Sequence, residues 1–272
     1  MHNNPIKITA LTSFCVDFFP EIGTTYVGGN SLNFATQCRI LGQPNISVIG
    51  AIGKDTFGDL IQQHLHSYTI NTSRVYASGE PTASNKIFID KNGDRFFKED
   101  SWNGGAFDTF RLSENDWDSV RNSQIIAMPA GDPNLIELLD RRHPDQLVVI
   151  DFLDYLGLDY IEKHIDNIDI VFLSGKENQL NDLFELSVKK QTLIVPTMGA
   201  KGSIAFFENK RYFQKAIEVD KIIDTTGCGD AFQAAFSIEW FYTKDIKKSL
   251  YAGAFAASKV LSFLGGVQKI IN

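Results

Sequence analysis

The chain has 272 residues, 43% of them hydrophobic and 22% charged, which suits one large globular domain with a substantial core. It holds 26 Lys and Arg against 33 Asp and Glu, a formal net charge of -7, which excludes general nucleic-acid binding through a basic face. No apolar run reaches membrane-spanning length, and Met1–Lys7 lacks the basic-then-apolar pattern of a signal peptide. Cys15, Cys38 and Cys228 are scattered, odd in number and without CxxC spacing, so a reducing cytoplasm is expected and a zinc site or disulfide framework is not.

In chain order, Ile6–Leu11 reads as a short apolar strand, and Phe14–Val27 carries a β-rich pattern. Ser31–Leu41 reads as a helix, Ser47–Ile52 as a strand and Asp59–Tyr68 as a helix, in which His64 and His66 read as surface residues. Lys86–Phe97 is a second β-rich stretch, predicted to be a hairpin turned at Asn92-Gly93. Ile125–Met128, Leu147–Phe152, Ile168–Leu173, Thr192–Thr197 and Ser203–Phe207 are strand candidates. Pro133–Arg141, Tyr155–His164 and Glu177–Lys189 read as the helices between them. Ala216–Ile223 reads as a further strand, leading into a helix that starts near Asp230. Alternating units with near-continuous apolar strands predict an α/β fold, a mainly parallel sheet covered by helices on both faces. No repeat, low-complexity tract or linker divides the chain.

Asp224-Thr225-Thr226-Gly227-Cys228-Gly229-Asp230 is the segment richest in chemistry. Gly227 and Gly229 let the backbone turn sharply and expose N–H groups at a helix N-terminus, a site that attracts anions. Asp230 lies in the first helical turn, where the helix dipole favours its carboxylate. Such a carboxylate can orient an alcohol for attack on a phosphoryl group, and it can equally well be a simple helix cap. Gly28-Gly29-Asn30-Ser31-Leu32-Asn33 precedes the first helix. Its glycines admit close approach to a ligand, and Asn33 offers a donor and an acceptor, as a sugar hydroxyl needs. A turn with a capping Asn is the structural alternative.

These segments resemble the signatures of the ribokinase (PfkB) family of sugar and nucleoside kinases. Asp224–Asp230 is similar to the family's C-terminal signature Asp-Thr-x-Gly-Ala-Gly-Asp, with Cys228 where Ala is usual. Gly28, Gly29 and Asn33 match its Gly-Gly-x-x-x-Asn, and Asp17 matches an Asp that binds a hydroxyl pair. Gly53–Gly58 fits Gly-x-Asp-x-x-Gly, read as structural. Ser174-Gly175-Lys176-Glu177 aligns with Asn-x-x-Glu, with Ser174 in place of Asn. Thr197, Gly199 and Gly202, with Lys201 between them, resemble a motif that lines the nucleotide phosphates, and Gly253–Lys259 resembles the helix beside the adenine.

The resemblance implies a ribokinase-like three-layer α/β/α sandwich over residues 1–272, with a small β lid inserted at about 12–28 and 84–100. It implies Asp230 as catalytic base, backbone N–H groups of Gly227, Cys228 and Gly229 on the transferred phosphoryl group, and Asp17, Gly28, Gly29 and Asn33 around the sugar. Thr197, Gly199, Lys201, Gly202 and Ser174 would face ATP. Glu177 would act on Mg2+ through water. A monovalent cation and a homodimer through the lid also belong to the family's range. The Ser174 departure, the short lid and the run Gly93–Asp100 look most similar to the fructoselysine 6-kinase branch, implying phosphorylation of O6 of a fructosamine. Ribose, fructose or adenosine kinases on the same fold are the alternative, and a silent sugar-binding regulatory protein is the non-enzymatic one.

Overall fold

The computed structural model describes residues 5–89, 95–96, 98–154 and 156–267. Strand β1 (Lys7–Leu11) opens the chain, followed by β2 (Cys15–Phe19), β3 (Thr24–Gly28), α1 (Asn30–Ile40), β4 (Asn45–Gly53), α2 (Thr56–Ser67) and β5 (Asn71–Ser78). Four short strands come next: β6 (Ala83–Lys86), β7 (Phe88–Ile89), β8 (Arg95–Phe96) and β9 (Trp102–Asn103). Then follow α3 (Gly105–Thr109), α4 (Glu114–Arg121), β10 (Ile125–Pro129), α5 (Leu135–Arg141), β11 (Leu147–Asp151), α6 (Leu158–His164), β12 (Ile170–Ser174), α7 (Leu180–Lys190) and β13 (Leu193–Thr197). β14 (Ser203–Phe207), β15 (Lys210–Gln214), α8 (Cys228–Thr243) and α9 (Ile246–Val260) complete the order.

Among the described residues the main sheet has nine strands, ordered β15-β14-β13-β12-β11-β10-β1-β4-β5. β5 to β13 pair in parallel, and β14 and β15 close one edge antiparallel. The period of two divides each inner strand between two cores. Ile8, Ala10, Val48, Ala127, Val149, Phe172 and Val195 pack with α1, α2, α8 and α9. Leu11, Ile49, Met128, Ile150, Val171 and Ile194 pack with α4, α5, α6 and α7. This is the expected three-layer sandwich. Helices α1 and α8 are buried on nearly every side, which explains why their sequences show so little amphipathic pattern.

A second sheet, β3-β2-β6-β9, stands off the first, with β2 antiparallel to β3 and parallel to β6. The central residue of β2, Asp17, is registered with Tyr26 on one side and Asn85 on the other. β7 and β8 pair antiparallel, Phe88 opposite Phe96; the Asn92-Gly93 turn lies outside the described residues. No helix among the described residues is long and apolar enough to cross a membrane.

Several elements differ from expectation. Ala216–Ile223 is not a strand but an irregular connection between β15 and α8. The Ile223 N–H donates to the Leu261 carbonyl rather than to a sheet neighbour, and Ile222 and Ile223 are exposed. Its apolar pattern reflects a cleft wall. The sheet edge is instead β15, whose sequence KRYFQ carries little strand signal. Helix α8 starts at Cys228, two residues before the expected position. The Glu177–Lys189 helix divides into a 3-10 turn, Glu177–Gln179, and α7.

His66 is exposed as expected, but His64 is half-buried. Its Nε2 lies 3.0 Å from the Thr36 hydroxyl, and burial against α1 pushes its pKa down from 6.5 to about 4. The folded protein therefore keeps His64 neutral, while the unfolded chain takes up a proton below about pH 6.5. Stability falls as pH drops from 6.5 towards 4. Denaturant titrations of wild type and His64→Gln at pH 7 and 5 should converge with acidification, by at most ~1.4 kcal/mol per pH unit. A gap between the two that stays constant would reject this account.

Candidate active site

The C-terminal ends of β1, β10, β11, β12 and β13 open into one cleft of about 1970 Å3. That edge is where parallel α/β sheets place ligands, because the connecting loops diverge there. Asp17, Asn85 and Trp102 of the small sheet line the same cleft. The N-termini of α1 and α8 converge on its floor.

Asp230 sits in the first turn of α8. Its Oδ1 accepts from the Asn30 amide and its Oδ2 from the Asn33 amide, both at 2.8 Å. Asn30 and Asn33 are three apart on α1 and so share one face of it. The Asn30 amide also donates to Asp151 Oδ2 at 2.8 Å, and Asp151 Oδ1 accepts from the Leu153 N–H at 2.9 Å. Both oxygens of Asp230 are thus held by neutral amide donors next to a helix N-terminus. Asn33 Oδ1 is buried and has no hydrogen-bond partner among the described residues.

The loop before α8 is shaped by Asp224, which is fully buried. Its Oδ1 accepts from the Thr226 N–H and hydroxyl at 2.9 and 2.8 Å, and its Oδ2 accepts from the Gly265 N–H at 2.8 Å. The carboxylate thereby ties the loop to the segment that follows α9. Gly227 turns with φ +78, and a β-carbon there would strike the Gly266 backbone. The Cys228 N–H donates to the Thr225 carbonyl at 3.3 Å, and its thiol to the Ala257 carbonyl at 3.6 Å.

At the far end of the cleft lie Ser174 at the end of β12, Thr197 at the end of β13, and the turn Gly199–Lys201 with Gly202. Lys201 and Glu177 form an ion pair at 2.9 Å, both side chains largely exposed. The wall here is the 216–222 connection, together with Ala254, Ala257 and Ser258 of α9. Among the described residues no group of three or more His, Cys, Asp and Glu could cage a metal.

The cleft therefore gathers Asp17, Gly29, Asn33, Ser174, Glu177, Thr197, Gly199, Lys201, Gly202 and Gly227–Asp230. Gly28 stands behind Asp17, where a β-carbon would strike the Asp17 carboxylate. Asn30 and Asp151 were not anticipated. Asn30 was visible one helical turn from Asn33, and Asp151 as the one charged residue in the apolar strand Leu147–Phe152.

A carboxylate beside a helix N-terminus, in a cleft at the C-terminal edge of a parallel sheet, suits a kinase for small hydroxylated molecules. The family model for pfkB family carbohydrate kinases matches residues 21–269, and the chain belongs to that family. It is 25% identical to fructoselysine 6-kinase of Escherichia coli over 257 residues, 92% of this chain and 95% of that one. It is 27% identical to a nucleoside kinase of Methanocaldococcus jannaschii over 272 residues, 93% of this chain and 87% of that one. The structure of Arabidopsis thaliana ribokinase complexed with ribose and ATP superposes with a TM-score of 0.80 at 22% identity, covering 96% and 94% of the two chains. The chain is thus a phosphotransferase of the sugar and nucleoside kinase type, in a family whose members use ATP, typically with Mg2+.

The two glycines around Cys228 should respond differently to substitution. Gly227→Ala forces a β-carbon into backbone at positive φ, costing at least about 1–2 kcal/mol. At about 2–4 °C per kcal/mol for a chain of this size, differential scanning calorimetry should show Tm falling by several degrees. At Gly229 a β-carbon meets nothing closer than the Gln233 amide at 4.0 Å, so Gly229→Ala should keep the wild-type Tm. Equal Tm values for the two variants would refute this reading of the loop.

Proposed function

We propose that this kinase transfers the γ-phosphoryl group of ATP to O6 of a fructosamine such as fructoselysine, with Asp230 as the general base. The observation that carries the chemistry is the Asp230 carboxylate, held by Asn30 and Asn33 at the cleft floor. Asp230 takes the proton of the attacking hydroxyl, late in a loose transition state. The Gly227–Gly229 turn supplies N–H donors to the charge on the transferred group, the Cys228 N–H being partly committed to Thr225. Thr197, Gly199, Gly202 and Ser174 line the path of the phosphates. Lys201 leaves its pair with Glu177 to meet them. Glu177 would hold Mg2+ through water, and the ion would supply neutralisation of phosphate charge.

Asp17 and the orphan acceptor Asn33 Oδ1 receive sugar hydroxyls. The small sheet acts as a lid that excludes water, and the exposed Ile22 of its β2–β3 turn and Trp102 of β9 support a homodimer formed through it. Activation by a monovalent cation belongs to the same proposal. For the fructosamine, the support is the similarity to fructoselysine 6-kinase together with an acidic sugar end, where Asp17, Asp100, Asp108 and Asp154 line the cleft and suit an ammonium group. The second reading, a nucleoside or another small sugar, is favoured by the similarity to the nucleoside kinase. The regulatory, non-enzymatic alternative falls with membership of a kinase family.

Asp230→Asn should retain the wild-type Tm and ATP affinity while kcat drops about 10²- to 10⁴-fold, as measured by coupled ADP release. A folded Asp230→Asn variant with near wild-type kcat would end the proposed mechanism. The substrate is decided by the same assay over fructoselysine, ribose, fructose and adenosine, with the phosphate located by NMR. The highest kcat/KM is expected for fructoselysine, with the phosphate on O6. A site that hydrogen-bonds a substrate group can reject an analogue lacking it by up to ~10⁴–10⁵-fold. A preference for ribose or adenosine would replace the fructosamine reading with the second one.

A further inference from the structure

We infer that Asn30 and Asp151 form a positioning unit for Asp230: the Asp151 carboxylate decides which way the Asn30 amide faces, and the amide then presents only donors to Asp230. The inference rests on the reading of Asp230 as the base.

The geometry is specific. Asn30 has one amide nitrogen with two N–H bonds, and both are used, one on Asp151 Oδ2 and one on Asp230 Oδ1, each at 2.8 Å. A neutral amide thus stands between two carboxylates that repel each other when ionised and would otherwise compete for a proton. Asp151 is only 6% exposed, and its other oxygen is fixed by the Leu153 N–H. Leu153 adopts φ +59, a left-handed conformation that leucine rarely takes, in the turn that returns this N–H to Asp151. Asp151 is therefore an immobile acceptor.

Without that acceptor the two orientations of the Asn30 amide become closer in energy. The flipped amide sets its oxygen against Asp230 Oδ1, which is tolerated only when Asp230 carries a proton. A protonated Asp230 cannot accept the substrate proton. The other charged groups lining this part of the cleft are Asp17 of β2, Lys98 and Asp100 of the loop before β9, Asp108 of α3 and Asp154 after β11. Two hydrogen bonds to Asp230 come from α1, one to each carboxylate oxygen.

The test uses Asp151→Asn and Asn30→Ala, each checked by Tm, with the best acceptor from the substrate panel, between pH 4.5 and 9. Asp151→Asn is nearly isosteric, and its new amide can donate to the Asn30 oxygen, stabilising the flipped state. In both variants kcat at pH 7 should fall about tenfold or more, with KM for ATP within about twofold of wild type. In Asn30→Ala the acid limb of kcat/KM for the sugar should move up by about half a pH unit or more, since Asp230 loses a donor while the Asp151 charge stays. In Asp151→Asn the lost charge opposes the lost orientation, so that variant is read through kcat. A purely structural role lowers activity equally at every pH, so an unmoved limb in Asn30→Ala, or kcat within about twofold of wild type in either variant, overturns the inference. If Asn30→Ala does not fold, the near-isosteric Asn30→Leu takes its place. Asp230→Asn is assayed alongside. If it keeps its turnover, the base reading fails and the inference with it. If Asp230→Asn is inactive while the other two variants behave as wild type, the inference alone fails.

Discussion

Everything at the floor of the cleft depends on one contact between distant parts of the chain, the two asparagine amides of α1 on the carboxylate of α8, 197 to 200 residues apart. The contact requires the N-termini of both helices to point to the same place. They do so because both helices pack on the same face of the sheet, through Leu32, Phe34 and Ala35 on one and Phe232, Ala234 and Phe236 on the other. Both are buried almost all round, so neither can rotate to relieve a mismatch. The position of the carboxylate is therefore a property of the core, and the chemistry inherits the core's rigidity.

The other end of the cleft is built differently. Lys201 and Glu177 are exposed and pair in a geometry that solvent screens, a contact worth little in stability. Such a pair can open for a ligand at small cost. The cleft thus joins a fixed end, the proposed place of proton transfer, to an adjustable end, the proposed place of the polyanion.

The alternating α/β order, the apolar inner strands and the glycine-rich loop before α8 were legible in the sequence because each depends on local pattern. So were Asp230 and Asn33, through their spacing from paired glycines. Asn30 and Asp151 were not singled out, since what matters about them is a meeting between α1 and β11 that no local pattern encodes. Ala216–Ile223 was misread for a related reason. Its apolar residues Ala216, Ile217, Val219 and Ile222 line the cleft, and an apolar cleft wall reads in sequence like a short strand. β15 went unseen because an edge strand needs few apolar residues to pair. His64 was taken for an exposed residue because burial against Thr36 is set by how α2 sits on α1, beyond the reach of helical periodicity.

The bond from Gly265 to Asp224 has a consequence for how the molecule is made. A ribosome releases the chain from its N-terminus, and elements can pack as they emerge. By the time α9 has emerged, every strand and helix of the sandwich is available. The loop carrying Gly227 still lacks the backbone donor that fixes Asp224 and the Gly266 backbone against which it turns. A nascent chain halted between Val260 and Gly265 would thus own a complete scaffold and an unfinished anion loop. The loop before α8 is thus completed only by residues translated after α9, later than the scaffold it stands on.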